Sequence, residues 1–378
     1  MLDQLSGLMI SAISFVLVLS VVVFVHEFGH FQVARWFKIK VDSFSIGFGP
    51  EIFARTSKAG IRWRFSALPL GGYVKFTGDK DEASTPDFTQ PVADKSSGLL
   101  YAQPVGVRAA VVAAGPAANF LFSILVFALF YGILGETVQR PVISGVLPDG
   151  AAAAAGLKAG DEVVEINGAK IDDFRDLQTV VMVSGGKEIK LLVKRGSETV
   201  PLTATPRIVE RETPFGDMET QGLLGIETRF TRETIEYRRY NPIEAIGRAG
   251  EKTWGIIETQ VQFVAALVRG GMSAGHLSGP LGIGQIAGKV TQNGIDGAGS
   301  DASPVQIFES VATGLVQLMA VLSISIGFIN LLPLPVLDGG HLVFYAAEAL
   351  RGKPVPEKIQ AVSYRFGLAC ILSLFAFA

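Results

Sequence analysis

Ser20-Val21-Val22-Val23-Phe24-Val25-His26-Glu27-Phe28-Gly29-His30 is the stretch on which the reading of this chain turns. Its apolar part closes a run, residues 4–25, that carries no charge. About 20 such residues on a helix cross the hydrocarbon of a bilayer. The run ends in His-Glu-x-x-His. Positions i and i+4 lie on one helix face, so His26 and His30 can aim ring nitrogens at one Zn²⁺. Glu27 points about 100° round the helix and can reach a water on that ion. Two imidazoles with a general-base carboxylate form the metallopeptidase arrangement. The opposing reading is two core histidines and a buried Glu, and the cost of an unpaired carboxylate at membrane depth speaks against it. The chain has four histidines, and the other two, His276 and His341, stand far away in sequence.

Composition sets the surroundings. The 378 residues are 49% hydrophobic and 18% charged, with a mean hydropathy of +0.39. That is too apolar for an ordinary soluble protein and too charged for a membrane bundle alone. A net charge of −2 implies no nucleic-acid partner. The single cysteine, Cys370, excludes an internal disulfide and a Cys-rich zinc site.

Outward from the motif, the first run reads as an uncleaved transmembrane helix reaching about Trp36. Asp3 stands where a signal peptide has a basic region, and no small-x-small cleavage site precedes His26. Arg35, Lys38 and Lys40 mark the far end as cytoplasmic. Next, Ile61, Trp63 and Phe65 alternate with Arg62 and Arg64, the period of a strand. Leu68-Pro69-Leu70-Gly71-Gly72 reads as a turn into a second strand, Tyr73-Val74-Lys75-Phe76. This hairpin, 61–76, is either a surface ornament or an edge that pairs with an extended peptide. In the second case Trp63, Phe65, Gly71, Gly72, Tyr73 and Val74 are its substrate-binding residues. Residues 79–97 read as a polar, acidic loop.

Residues 109–135 are uncharged and give a second span. Within it Gly115 allows close helix approach, and Asn119 is a polar side chain that needs a partner, in packing or at substrate. Residues 137–207 then alternate short strands, turns and helices. After charged residues 208–242, apolar positions from Pro242 to about Val268 recur at helical spacing, an amphipathic helix at the membrane. Gly279 to Gly288 is Gly-rich but lacks the Lys-Ser/Thr ending of a phosphate loop.

Residues 310–337 are a third uncharged run, ending in Asn330-Leu331-Leu332-Pro333-Leu334-Pro335-Val336-Leu337-Asp338-Gly339-Gly340-His341. Pro333 and Pro335 break the helix, and the two glycines permit a tight turn. Broken helices at membrane depth line cavities. Asp338 is there as a third ligand whose charge offsets Zn²⁺, with helix capping as the opposing reading. Asn330 can bond substrate or a ligand carboxylate. A short interfacial helix follows from His341 to Leu350, and a fourth span starts near Ile359.

The fold class expected is a multi-pass α-helical membrane protein of about four transmembrane helices, with an inserted membrane-associated β-hairpin and a periplasmic α+β domain. Its parts are a first half of the membrane core (1–136), the small domain (137–207), a linker with the amphipathic helix (208–302) and the second half of the core (303–378).

Two resemblances add to this. Gly156-Leu157-x-x-Gly160-Asp161 followed by Ile166-Asn167-Gly168 is similar to a bacterial, circularly permuted PDZ domain. Over the whole chain the motifs fall in a telling order: His26-Glu27-x-x-His30, Gly115-x-x-x-Asn119, the inserted domain, Leu277-Ser278-Gly279-Pro280, and Asn330-x-x-Pro333-x-Pro335-x-Leu337-Asp338-Gly339. They resemble the bacterial site-2 proteases of the RseP type, intramembrane zinc metalloproteases of peptidase family M50. The resemblance implies one Zn²⁺ per chain held by His26, His30 and Asp338, Glu27 as general base and Asn330 positioning substrate. It also implies an inner-membrane enzyme with the PDZ domain outside and the zinc toward the cytoplasm. Its partners would be the lipid bilayer, single-pass membrane substrates such as anti-sigma factors or remnant signal peptides, and an upstream protease that cuts first. The best-known Gram-negative members carry two tandem PDZ domains, and one is found here. A zinc-binding transporter or scaffold with a docking module is the alternative; Glu27 beside the ligand pair has no purpose in it.

Overall fold

The computed structural model describes residues 2–79, 97–212, 218–229, 234–269, 280–299 and 301–377. The acidic stretch 80–96 and the motif residues Leu277, Ser278 and Gly279 lie outside them. The chain divides into two compact units: Met1–Ala128 with Ile246–Val261 and Ser273–Ala378, and Leu129–Ala245 with Gln262–Met272.

The first unit opens with α1 (Leu2–Trp36), a pair of strands β1 (Val41–Thr56) and β2 (Arg62–Phe76), and α2 (Val105–Leu129). The strands pair more richly than a hairpin at 61–76 implies. Residues 43–46 face 75–72 on one side, running antiparallel, and 62–65 on the other, with residue numbers rising together. Residues 62–65 also face 56–53. The segments thus lie in the order 53–56, 62–65, 43–46, 72–76. The tight turn is at 57–60, where Gly60 at φ 82° bonds back to Ser57. Leu68 to Gly72, expected as the turn, lie within β2, where Leu68 pairs with Phe48 and Ile46 pairs with both Phe65 and Gly72. β1 escaped the sequence reading because Gly47 and Gly49, at φ 89° and 84°, break its alternation. Phe31 of α1 packs on Phe44 and Trp63, with ring centroids 5.6 and 5.3 Å away, which fastens the strands to the helix.

The second unit is built from short strands. They are β3 (Glu136–Gln139), β4 (Gly145–Val146), β5 (Glu162–Ile166), β6 (Ala169–Lys170), β7 (Ile189–Arg195), β8 (Glu198–Ala204), β9 (Arg207–Glu212), β10 (Met218–Leu223), β11 (Ile226–Glu227) and β12 (Ile235–Arg238). Helices α3 (Ala151–Ala154) and α4 (Phe174–Val183) interrupt them. The main sheet runs β6-β5-β7-β8. Asn167 and Gly168, at φ 52° and 84°, make the two-residue turn from β5 to β6. Asp173 and Asp176 form a reciprocal capping box that starts α4. Leu177 and Val181 of α4 close a water-excluding core with Ile143, Val163, Ile166, Ile189 and Leu224. The unit reaches past 207: β11 pairs with β4 and β12 with β3. Such short polar strands carry no periodic signal of their own, so residues 208–242 looked irregular.

Helix α5 (Pro242–Arg269) matches the expected amphipathic helix, and Ile243, Ile246, Trp254 and Val261 on it are exposed. The first unit then continues with α6 (Pro280–Ala298), α7 (Pro304–Asn330), α8 (Asp338–Arg351) and α9 (Glu357–Phe377). The Gly-rich segment inside the expected linker is α6, a helix packed on α1 and α7. A Cβ on Gly288 would meet Ser11 Oγ at 1.9 Å, and one on Gly294 would meet the Val311 backbone at 2.9 Å. Ser14 and Thr291 share a buried hydrogen bond of 2.7 Å. Small residues and polar pairs are what join helices in lipid, where apolar burial gives no net drive.

Three helices among the described residues are long and apolar enough to cross a membrane: Gly7–Trp36, Val105–Leu134 and Pro304–Asn330. The protein is therefore a membrane protein. α9, expected as a fourth span, is 21 residues long but is not among the three. The glycines after Asp338 differ from expectation too. Neither has a positive φ; both lie inside α8, where a Cβ would meet the carbonyls of Leu332 or Leu334 at 2.2–2.3 Å. They serve close approach of the broken segment 331–337 to α8, not a turn.

Candidate metal centre

α1 presents His26 and His30 one turn apart on a single face, and α8 begins with Asp338 opposite them. His26 Nε2 lies 3.2 Å from Asp338 Oδ2, His30 Nε2 lies 3.5 Å from it, and the two Nε2 atoms are 3.2 Å apart. A tetrahedral zinc with bonds of about 2.0–2.1 Å sets its ligand atoms roughly 3.3–3.4 Å apart, so this triangle has the size of one face of such a site. Asp338 Oδ2 is buried yet has no hydrogen-bond partner among the described residues. Its nearest polar neighbours are the two Nε2 atoms. An unanswered buried carboxylate beside two imidazoles is costly unless a cation joins them. The residues fit zinc. These three are the one such His/Cys/Asp/Glu group among the described residues.

Local sequence explains why the histidines fit. Gly115 of α2 has no side chain; a Cβ there would lie 2.3 Å from His30 Nε2 and 2.9 Å from His26 Cε1. Gly29 lets α1 and α2 touch, because a Cβ there would meet the Ala114 carbonyl oxygen at 2.3 Å. Four residues before Gly115, the carbonyl of Val111 lies 2.9 Å from His30 Nδ1. Asn119, one helical turn beyond Gly115, places Nδ2 3.2 Å from His26 Nδ1.

A cavity of about 730 Å³ opens on these residues, lined by His26, Glu27, His30, Asn330, Asp338, His341 and Tyr345 and by residues 72–76. Glu27 lies under the strand: a Cβ on Gly72 would come 3.1 Å from its Cγ, and the Val74 backbone N–H is a hydrogen-bond partner of its carboxylate. Asn330 lines the cavity while its amide nitrogen donates to the Ile326 carbonyl at 3.0 Å.

The expected site residues therefore separate. His26, Glu27, His30 and Asp338 converge, and Asn330, Gly72, Tyr73 and Val74 share their cavity. Trp63 lies in the aromatic cluster with Phe31 and Phe44, and residues 62–65, Phe65 included, are paired on both sides. Gly71 is pressed against the Phe48 ring, with room for no side chain. Asn119 is fully buried against His26 and does not line the cavity. Sequence reasoning missed the Val111 carbonyl, which no side-chain pattern reveals. It also missed His341, although three residues after Asp338 on a helix is the same face. His341 Nδ1 lies 3.3 Å from the Tyr364 hydroxyl.

Fold and site together define a zinc metalloprotease set within membrane-spanning helices. Residues 14–374 match Peptidase family M50, and the chain belongs to that family. It is 42% identical over 369 residues to the Agrobacterium fabrum protein named "Putative zinc metalloprotease Atu1380", covering 97% of this chain and 93% of that one. It is 38% identical over 391 residues to "Metalloprotease MmpA" of Caulobacter vibrioides, covering 98% and 95%.

Proposed function

We propose that this chain hydrolyses peptide bonds within or near the transmembrane segments of single-pass membrane proteins, with His26, His30 and Asp338 holding one zinc and Glu27 as general base. The observation that carries the reading is the convergence of three ligand atoms and Glu27 on one cavity bordered by a strand. Bound there, zinc supplies a Lewis acid for the scissile carbonyl and acidifies a water toward a pKa of ~7. Glu27 would take a proton from the attacking water and return it to the leaving nitrogen. Residues 72–76 are the edge of the sheet nearest this chemistry. A substrate helix has its amides tied up in its own hydrogen bonds, so it must unwind, and the unwound strand adds to that edge. Asn330 is the polar side chain that meets the substrate backbone. The interior placement of residues 62–65 favours 72–76 over Trp63 and Phe65 for this role.

The wider setting is part of the same proposal. Arg35, Lys38 and Lys40 at the end of α1 support a cytoplasmic zinc site, with α9 as a fourth span in an inner membrane. The β-rich unit is a PDZ domain on the outer side, its extent closer to 129–245 than to 137–207. Anti-sigma factors or remnant signal peptides, trimmed first by an outer-side protease, are the substrates such an arrangement suits. The PDZ domain either excludes substrates with a bulky outer domain, since one of ~100 residues has a radius of gyration near 13 Å against ~5 Å strand spacing, or captures the new C-terminus left by the first cleavage.

The test is Glu27→Gln in detergent-purified protein. Zinc should remain near one per chain while cleavage of a membrane-segment peptide falls about 10²–10⁴-fold, the worth of a positioned general base. Substantial residual cleavage would remove Glu27 from that role.

A further inference from the structure

The two histidines offer the same atom, Nε2, to the centre, but their Nδ1 atoms meet different partners. His30 Nδ1 faces the Val111 carbonyl oxygen at 2.9 Å. A carbonyl only accepts, so the His30 proton sits on Nδ1 and Nε2 keeps its lone pair for a metal. His26 Nδ1 faces Asn119 Nδ2 at 3.2 Å. An amide N–H only donates, so in this orientation Nδ1 accepts, the proton sits on Nε2, and Nε2 has no lone pair to give. Asn119 Oδ1 meanwhile is buried without a hydrogen-bond partner among the described residues.

The rest of Asn119 is held fast. Its carbonyl oxygen accepts from Ser123 Oγ at 2.9 Å and from Ser323 Oγ at 3.1 Å. A Cβ on Gly327 of α7 would lie 3.1 Å from its own Cβ. The residue is 0% exposed. What stays free is a half turn of the amide about its last torsion, which exchanges nitrogen and oxygen with little change of shape. The turn brings Oδ1 to Nδ1 and moves Nδ2 to a place where no donor was on offer to Oδ1.

We propose that Asn119 is a positioning residue for the metal, its amide turned so that Oδ1 faces His26 Nδ1. Its Oδ1 accepts from His26 Nδ1–H, which leaves the Nε2 lone pair for zinc. The inference rests on His26 being a zinc ligand. It assigns the Asn of Gly115-x-x-x-Asn119 to the metal and not to substrate. Outer hydrogen bonds of this kind fix the tautomer of a ligand histidine, and their loss costs about 10–100-fold in metal affinity.

The experiment measures the zinc dissociation constant of the full-length protein in detergent, by competition with a chelator of known affinity. Asn119→Asp keeps an acceptor at Nδ1 and should bind within about threefold of the unaltered protein, or tighter. Asn119→Leu keeps the branched shape in a larger side chain but offers no acceptor and should bind about 10–100-fold more weakly. A packing role alone lowers the thermal stability of Asn119→Leu equally with and without zinc. If Asn119→Leu cannot be recovered folded, Asn119→Ala carries the same expectation. Affinity of Asn119→Leu or Asn119→Ala equal to the unaltered protein overturns the inference, as does equal weakening by Asn119→Asp. Failure of the unaltered protein to bind zinc would instead sink the assignment of His26 as a ligand.

Discussion

Two buried aspartates, one in each unit, are treated in opposite ways. Asp161 of the β-rich unit is fully buried and fully answered. Arg195 donates to both its oxygens at 2.7 and 2.8 Å, and the Lys158 backbone N–H adds a bond of 2.9 Å. Asp338 of the membrane unit leaves Oδ2 without a hydrogen-bond partner among the described residues, beside two imidazole nitrogens. The residue type is the same and the sequence context of each is glycine-rich. A carboxylate answered by its own protein is architecture. One left open among lone pairs is complete only with a cation.

The comparison breaks most visibly at Asp338. Asp338→Ala should lose zinc from near one per chain to a trace, and cleavage with it, as read by metal analysis of the purified protein. Full occupancy in this variant would place the third ligand elsewhere. Next in size is Gly115→Ala, whose added carbon lands 2.3 Å from His30 Nε2 and must move the ring. Zinc affinity should fall at least about 10-fold while the protein still inserts in the membrane. Gly247→Ala, with nothing within 4 Å of the new carbon, is the control that should change nothing.

The smallest effect sharpens the other side. The Arg195 hydrogen bonds hold the Asp161 carboxyl below the ordinary carboxylate range. Its folded pKa is thus below its unfolded one. The stability it lends is fully present above about pH 4, the unfolded value, and drains away as pH falls through the lower folded value. Thermal unfolding of the full chain between pH 7 and 3 should show this loss. Asp161→Asn should cost about 1–3 kcal/mol at pH 7, flatten that part of the acid dependence and leave zinc content unaltered. An unchanged acid profile would assign the sensitivity to other groups.

Several elements were legible because their signals are local. The uncharged runs give α1, α2 and α7, the His-Glu-x-x-His spacing puts two rings on one face, and Asn167-Gly168 marks a turn. The double pairing of residues 43–46 was not legible, since two glycines hide the strand they belong to. Nor was α6, which fell within the expected linker and whose glycines act as contact surfaces for Ser11 and Val311.

The sequence by itself determined the donor types and their order: two histidines and a glutamate on one helix, a broken helix bearing an aspartate some three hundred residues later, and a β-rich insertion between them. Periodicity and residue chemistry suffice for that, because both are properties of neighbours along the chain. The tertiary structure alone decided that Asp338 comes within 3.2 Å of His26, that residues 72–76 and not 62–65 border the cavity, and that Asn119 faces the His26 ring. Each depends on how closely separate helices and strands approach, and that is set by absent side chains, at Gly29, Gly115, Gly339 and Gly340, whose effect exists only once the partner backbone is in place.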